Sequence, residues 1–324
     1  INTFGAVGGT FFAGFLAIPA IGVQTTLWLT AAVNIGIGVV AMVVGRGAER
    51  APRDERAASA SQVPGVGRRT AILLILFGMS GFGAMVLEVA WTRALSMVLG
   101  SSVYAFSLML VAFLVGLAAG GAAFSALLRR HPRLHPGSLL AGLFVATGGL
   151  SFATVFVFRH LPGWFAQIYF AYEPSPGGWF AVQFLFGMLV MFPATFAFGG
   201  IFPAVLQYHA RGLDEVAGSV GTVYTANTVG TIAGAAVAGF VLIPALGVQD
   251  SVVLVAGSQM VLGAIALAAL SGIARSARTI AVAVTLLVAV AFPLVRPGWD
   301  ALLMNSGVYM NLQDLPEGSN WDDF

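Results

Sequence analysis

Residues 2–24 read NTFGAVGGTFFAGFLAIPAIGVQ, and residues 227–249 read NTVGTIAGAAVAGFVLIPALGVQ. The two stretches align without a gap at an offset of 225, and 13 of their 23 positions are identical. A duplication inside an apolar chain is typical of a membrane protein built from two related halves. Because the first copy stands at the very start of this sequence, we expect most helices of the first half to be missing from it.

The composition excludes a soluble fold. The chain of 324 residues is 58% hydrophobic and 9% charged, whereas a soluble domain carries about 25% charged residues. Apolar runs of roughly 20 residues recur, and a helix of that length crosses a bilayer. Cysteine is absent, which excludes disulfide and thiol chemistry, and the net charge of +2 gives no indication of nucleic-acid binding. We therefore predict an all-α, polytopic helical membrane protein.

The hydropathy pattern predicts nine membrane spans. They are 2–18, 25–45, 70–92, 102–128, 138–158, 179–206, 218–242, 251–271 and 279–295. Alternation of sides puts the loops 46–69, 129–137, 207–217 and 272–278 on one face, and that face holds 12 of the 15 arginines. Positively charged loops stay in the cytoplasm, so we predict that this face is cytoplasmic and that the chain lies in a bacterial inner membrane.

The order of the spans predicts a domain organisation. Six spans separate the two copies, so both copies cross in the same direction, as in the six-plus-six parallel repeat of major-facilitator transporters. Residues 1–45 are then the last two helices of the first half, and 46–69 are a cytoplasmic linker. Residues 70–271 are the six helices of the second half. Residues 272–324 hold an extra hydrophobic helix and a polar lead-in to an absent C-terminal domain.

The side of the membrane on which residues 296–324 lie stays open. Counting nine spans puts them outside the cytoplasm. The last span, 279–295, has only 17 residues, fewer than the usual 20. A re-entrant or interfacial placement of this span would return the tail to the cytoplasm.

Four separated runs carry a family resemblance. They are SGFGAMVLEVAWTRALSMVLGSSVYAFSLMLVAFLVGLAAGG at 80–121, FPATFAFGGIFPAVL at 192–206, VGTVYTANTVGTIAGAAVAGFVLIPALG at 220–247 and NSGVY at 305–309. In this order they resemble the membrane part of fused major-facilitator/spermidine-synthase proteins. In that family a polytopic domain precedes a soluble aminopropyltransferase-like domain. The resemblance implies that the catalytic domain lies beyond residue 324, so we expect no catalytic residue and no cofactor in this chain.

Glu88 and Arg93 are the sharpest candidates for an intramembrane polar site. An ionisable group inside a span costs about 2.5–3.5 kcal/mol on insertion scales, so it usually has a function or a partner. Five residues apart on one helix, the two side chains are rotated by roughly 140°, so each is expected to find its partner elsewhere. Three roles stay open: interfacial anchoring beside Trp91 as an aromatic-belt residue, pairing between helices, and a substrate or proton site.

Polar groups and glycines in and beside the two copies predict helix packing. Tyr224 and Asn227 lie inside a span, where a buried amide needs partners because lipid offers none. The repeated Asn-Thr pair favours bonding between helices over ligand binding. Small residues four apart let helix backbones approach closely. Such contacts are predicted at Gly5, Gly9, Gly230 and Gly234.

One span is predicted to be a broken helix, because proline removes a backbone hydrogen bond and kinks a helix. The residues concerned are Pro193, Gly199, Gly200 and Pro203. Broken helices often line transporter cavities, but membrane helices also tolerate proline for packing alone. Both interpretations stay open.

The segment WFAQIYFAYEPSPGGWF at 164–180 is rich in aromatic residues. It predicts either a helix lying in the membrane interface or a cage for an organic cation, to which Glu173 would add charge. His131 and His135 are close in sequence but lack a Cys or acidic partner, so no metal site is expected.

Three functions compete at this point. The first is the membrane domain of a spermidine-synthase-like protein, which anchors an aminopropyltransferase-type domain and moves polyamines. The second is a major-facilitator-type small-molecule transporter without an enzymatic role, and the third is a passive membrane scaffold. Glu88 is the only acid predicted inside a span, which weakens transport of a polycation by this half alone. The expected partners are the lipid bilayer, the C-terminal soluble domain, the missing first-half helices and polyamine, but no nucleic acid.

Overall fold

The computed structural model describes residues 2–48, 67–172, 176–210 and 216–305, and these contain helices but no strand. The α-helices are α1 (Asn2–Phe12), α2 (Ile18–Ala48), α3 (Arg68–Leu99), α4 (Val103–Arg130), α5 (Pro136–Tyr172), α6 (Pro176–Ala210), α7 (Val216–Val237), α8 (Ile243–Leu270), α9 (Arg275–Val295) and α10 (Ala301–Asn305). Seven continuous helical stretches in the described ranges are long and apolar enough to cross a membrane. The chain is therefore an all-helical, multi-pass membrane protein.

The two sequence copies have the same local structure. A π-helical turn joins α1 to α2 at Ala13–Ala17, and another joins α7 to α8 at Ala238–Leu242. Five residues after each turn the helix kinks, at Gly22 (φ 79°, ψ 163°) and at Gly247 (φ 80°, ψ 172°). This backbone conformation is essentially restricted to glycine. The sequence duplication is thus also a duplication of backbone geometry.

The structural repeat continues past the identical stretch. Thr26 Oγ1 donates a 2.8 Å hydrogen bond to the carbonyl of Gly22, and Ser251 Oγ donates a 2.6 Å bond to that of Gly247. Serine and threonine hydroxyls commonly bond to the carbonyl four residues earlier in a helix. In both copies the acceptor is the carbonyl of the glycine at the kink, and the two donor residues are again 225 positions apart.

The two kinks account for the number of spans. The stretches Thr3–Gly45 and Gly221–Leu270 hold 43 and 50 residues, about twice the length that one crossing needs. Gly22 and Gly247 divide each stretch into two rods. The seven continuous stretches therefore correspond to nine helical rods in the described residues, at the positions where the hydropathy pattern predicts nine spans.

One end of the bundle gathers the arginine-bearing loops. The ring of His135, which follows α4, lies 6.4 Å from the ring of Tyr208 near the end of α6. The backbone N–H of Gly272, just after α8, donates to Ser138 Oγ at 3.2 Å. We call the end formed by 67–69, 129–137 and 272–278 the arginine end.

Helix α9 runs from the arginine end to the opposite end. Its 21 residues span about 31 Å at 1.5 Å per residue, and Phe292 stacks on Phe152 of α5 at 3.9 Å. Beyond α9, Arg296 forms an ion pair with Asp250, and Trp299 Nε1 donates to the carbonyl of Val155 at 2.8 Å. A re-entrant α9 is thereby ruled out, and residues 296–305 lie at the end opposite the arginine loops.

The predicted break in α6 is absent. α6 continues as an α-helix from Pro176 to Ala210, with Pro193 and Pro203 inside it. Gly199 and Gly200 pack against α4 instead: a Cβ on Gly199 would lie 3.0 Å from Leu117 C. A membrane helix tolerates proline where neighbouring helices hold it, and in this bundle the breaks lie at the π turns and glycine kinks.

Candidate intramembrane polar site

The predicted polar pair lies on α3, which packs against α5, α6, α7 and α8. The Glu88 side chain is half-buried and that of Arg93 is exposed. Within the described ranges the one ion pair joins Arg296 to Asp250. Glu88 and Arg93 are therefore paired neither with each other nor with another described residue.

Asn227 meets α3 on the side that carries Glu88. A Cβ added to Gly81 would lie 2.5 Å from Asn227 Oδ1 and 2.8 Å from the Asn227 carbonyl oxygen, so the contact requires glycine. Gly81 precedes Glu88 by seven residues, which is close to two turns and about 10.5 Å along the axis. Arg93 lies about 140° around the helix from Glu88. The structure thus brings Asn227, and not Arg93, to the face of α3 that carries Glu88.

Tyr224 lies apart from this face. Its side chain is 56% exposed, and its ring packs edge-on against Phe202 of α6 at 6.4 Å. Tyr224 therefore marks the outer seam between α6 and α7. Of the two predicted polar residues Tyr224 and Asn227, the described contacts bring only Asn227 to α3.

The four predicted packing glycines have two different environments. Gly230 and Gly234 lie directly against α3, since a Cβ on Gly234 would lie 2.8 Å from Phe82 Cα. A Cβ on Gly230 would lie 3.1 Å from Gly78 Cα. A Cβ on Gly5 or Gly9 would meet no described heavy atom within 4 Å. Of these four glycines, only Gly230 and Gly234 of the second copy make a close helix contact within the described residues.

Trp91 does not belong to an aromatic belt. It is fully buried, and its Nε1 donates a 3.0 Å hydrogen bond to Thr154 Oγ1 of α5. Belt residues stand at the membrane surface with a wet edge, whereas Trp91 lies between two helices of the bundle. Anchoring of Glu88 by an adjacent belt residue therefore has no basis in the structure.

Gln259, near the middle of α8, is a polar residue that the sequence analysis overlooked. It is fully buried, and neither its Oε1 nor its Nε2 has a hydrogen-bond partner among the described residues. Its amide occupies the space beside Gly83 of α3, where a Cβ would lie 3.3 Å from Gln259 Cδ. The repeat could have pointed to it: at the offset of 225, Gln259 aligns with another amide residue, Asn34, which lies on the helical rod after Gly22.

The aromatic segment at 164–180 divides between two helices. Residues 164–172 complete α5 and 176–180 begin α6, so the described part contains no separate interfacial helix. The ring of Trp179 lies 5.1 Å from Phe165 and 5.5 Å from Tyr169. These rings pack on one another, and Glu173 lies outside the described residues.

The bundle also contains an apolar crevice of about 280 Å³. It is lined by Phe11, Phe15, Leu108, Val111, Phe180, Ala181 and Phe184. None of these side chains carries a polar group, so the crevice suits a hydrocarbon chain and offers nothing to a charged ligand. The polar candidates on α3 lie outside it.

No group of three or more potential metal ligands occurs in the part of the chain that the structure describes. Comparisons of the chain with protein-family models, with curated proteins and with solved structures give no match.

Proposed function

We propose that this chain is the membrane domain of a spermidine-synthase-like protein, which holds an aminopropyltransferase-like domain at the membrane and moves polyamine. The four family-like runs support the identity. The matched π turns and glycine kinks of the two copies support a bundle of the major-facilitator kind, built from two related halves. Catalysis would belong to the appended domain.

Glu88 is the observation that carries a role in cation handling. The described residues include three carboxylates, Glu88, Asp250 and Asp300. Asp250 is paired with Arg296, and Asp300 caps α10 by accepting from the N–H of Leu302 at 2.9 Å. Of these three described carboxylates, Glu88 is the one that lies within the bundle without a partner among the described residues. An unpaired carboxylate in a membrane span is costly and attracts a cation or a proton, and an ammonium group of a polyamine supplies one.

A binding experiment tests this role. The full-length protein in lipid nanodiscs is titrated with spermidine, and the variant Glu88→Gln is expected to lose most of the binding while its melting temperature stays close to that of the parent. Asp250→Asn is the matched control, because it removes one carboxylate at a helix end and should leave spermidine binding unchanged. Equal spermidine affinity of Glu88→Gln and the parent would reject the role.

The orientation of the bundle decides where the appended domain would lie. If the arginine end faces the cytoplasm, residues 296–305 emerge on the other side. We therefore propose an extracytoplasmic position for the domain that follows. Single cysteines at Leu134 and Gly298, both exposed and at opposite ends, test this in a region without native cysteine. An impermeant maleimide should label Gly298→Cys in intact cells and Leu134→Cys only after lysis; the reverse would reject the orientation.

A transporter without enzymatic role is the second candidate. The repeated π turns and glycine kinks favour it, because π-helical turns frequently occur at functional sites. Uptake of radiolabelled spermidine into proteoliposomes of the full-length protein would distinguish the two. Uptake that Glu88→Gln abolishes, without any aminopropyltransferase activity in the same preparation, favours the transporter. Aminopropyl transfer together with spermidine binding favours the first proposal.

A further inference from the structure

The second copy contacts α3 through a defined face. Gly230 and Gly234 of α7 pack on the α3 backbone, Ala238 of the π turn is fully buried, and Gln259 of α8 fills the space at Gly83. We call the set Gly230, Gly234, Ala238 and Gln259 the α3-binding face.

The same face of the first copy is open. At the offset of 225 its residues are Gly5, Gly9, Ala13 and Asn34. A Cβ on either glycine would meet no described atom within 4 Å, Ala13 is half-buried and Asn34 is exposed. An amide at mid-helix facing lipid lacks the partners that a membrane helix gains by association. The first copy therefore has the residues of the α3-binding face, but no described helix is bound to them.

A second face shows the reverse pattern. In the first copy Gly14 packs on α4, where a Cβ would lie 2.5 Å from Ser107 Cβ, and Phe15 lies 5.5 Å from Tyr104 of α4. In the second copy the corresponding Gly239 has free space around it, and Phe240 is 85% exposed. Each copy thus uses the face that its counterpart leaves open.

We propose that the open face of Gly5, Gly9 and Asn34 binds a membrane helix that is the repeat counterpart of α3. In the second half α3 precedes α7 along the chain, so the same order puts the bound helix ahead of α1 in the same polypeptide. By the same reasoning, the open face of Gly239 and Phe240 in the second copy binds the repeat counterpart of α4. This inference rests on the repeat alone and stands whether or not the ligand is a polyamine.

The contacts of α3 define the chemistry of the bound helix. Gly81 and Gly83 are rotated by about 200° from each other and receive the amides of Asn227 and Gln259 on opposite sides. The bound helix must likewise carry two glycines two residues apart, one of them facing Asn34. A second copy of this chain cannot supply it, because α7 already covers Gly78 and Phe82 of every α3.

Site-specific photo-crosslinking in native membranes tests the proposal. A diazirine amino acid replaces Asn34 in the full-length protein, and the matched control carries it at Leu29. The counterpart of Leu29 is Leu254, which is half-exposed, whereas that of Asn34 is the fully buried Gln259. The Asn34 probe is expected to crosslink within the polypeptide to a peptide that precedes α1 and contains Gly-x-Gly, and the Leu29 probe to label lipid.

Every other outcome overturns the proposal. Lipid labelling alone at Asn34 would show an open face, and a crosslinked dimer or a different protein would show another occupant. A steric variant gives an independent readout in the same full-length protein. Gly9→Leu is expected to lower the melting temperature by several degrees, whereas Gly8→Leu, whose counterpart Ala233 is exposed, is not. Equal melting temperatures of these two variants would also overturn it.

Discussion

Replacement of Gly234 by leucine is the most direct test of how α7 packs on α3. A Cβ at this position would lie 2.8 Å from Phe82 Cα and 3.0 Å from Phe82 C. Carbon atoms rest at roughly 3.5–4.0 Å, and the opposing atoms belong to a backbone, which cannot rotate away as a side chain can. α7 must therefore move outward by about 1 Å, and the contact at Gly230 opens with it.

The expected cost follows from two opposing terms. Overpacking of a close-packed contact costs about 1–3 kcal/mol, while the better helix propensity of leucine returns up to about 0.8 kcal/mol. The net loss in the free energy of unfolding is about 0.2–2.2 kcal/mol, and the collision with backbone atoms favours the upper half of that range, about 1–2 kcal/mol. For a chain of 324 residues, a loss of about 1–2 kcal/mol corresponds to a fall in the melting temperature of roughly 1.5–3 °C.

The assay compares Gly234→Leu with Ala233→Leu in detergent. Ala233 is the neighbouring residue on α7 and is exposed, so the control adds the same side chain without the collision. Tryptophan fluorescence suits the measurement, because Trp91 is fully buried and the chain has no cysteine for a thiol dye. Equal melting temperatures for the two variants would refute the argument from backbone proximity.

Three further predictions rest on single residues. Gly247→Ala should lower the free energy of unfolding by about 1–3 kcal/mol, because its φ of 80° with ψ of 172° is a conformation essentially restricted to glycine. Gly257→Ala, in the regular part of α8 with an ordinary contact of 3.7 Å at the added Cβ, should raise it by up to about 1 kcal/mol in the same thermal melt. Gln259→Met should raise the melting temperature, because burying an amide without a hydrogen-bond partner costs about 1–3 kcal/mol and the substitution removes that amide. A lower melting temperature would show that the amide has a partner. Trp91→Phe should cost about 1–2 kcal/mol, and a double-mutant cycle with Thr154→Val should be non-additive by calorimetry.

The fold class was predictable because bilayer thickness fixes the length of apolar runs. The duplication carried information that an apolar pattern does not contain. Identical residues at an offset of 225 have the same local backbone structure, down to the kinks at Gly22 and Gly247. The π turns were not predicted, because periodicity does not distinguish a π turn from an α turn. They precede Pro19 and Pro244, each of which removes the hydrogen bond to the carbonyl four residues earlier.

The site was less predictable than the fold, because residue type does not reveal which way a helical residue faces. Trp91 and Glu88 are three residues apart, and placement of both at the membrane interface was one of the three roles that the sequence left open. Trp91 instead bonds to Thr154 inside the bundle, and Glu88 is half-buried without a partner among the described residues. Proline at 193 and 203 suggested a broken helix, but the supporting contacts with α4 that keep α6 continuous appear only in three dimensions.

The run that carries most of the family resemblance has a packing explanation. In the segment 78–83, three glycines set the approach of the second copy to α3: Gly78 and Gly81 receive α7, and Gly83 receives Gln259 of α8. Any side chain at these positions would push the helices apart, so these glycines serve helix packing and are silent about substrate. Glu88 has no such structural use in the described residues. A functional proposal for this chain therefore depends on Glu88, and the spermidine titration of Glu88→Gln against Asp250→Asn is the measurement that decides it.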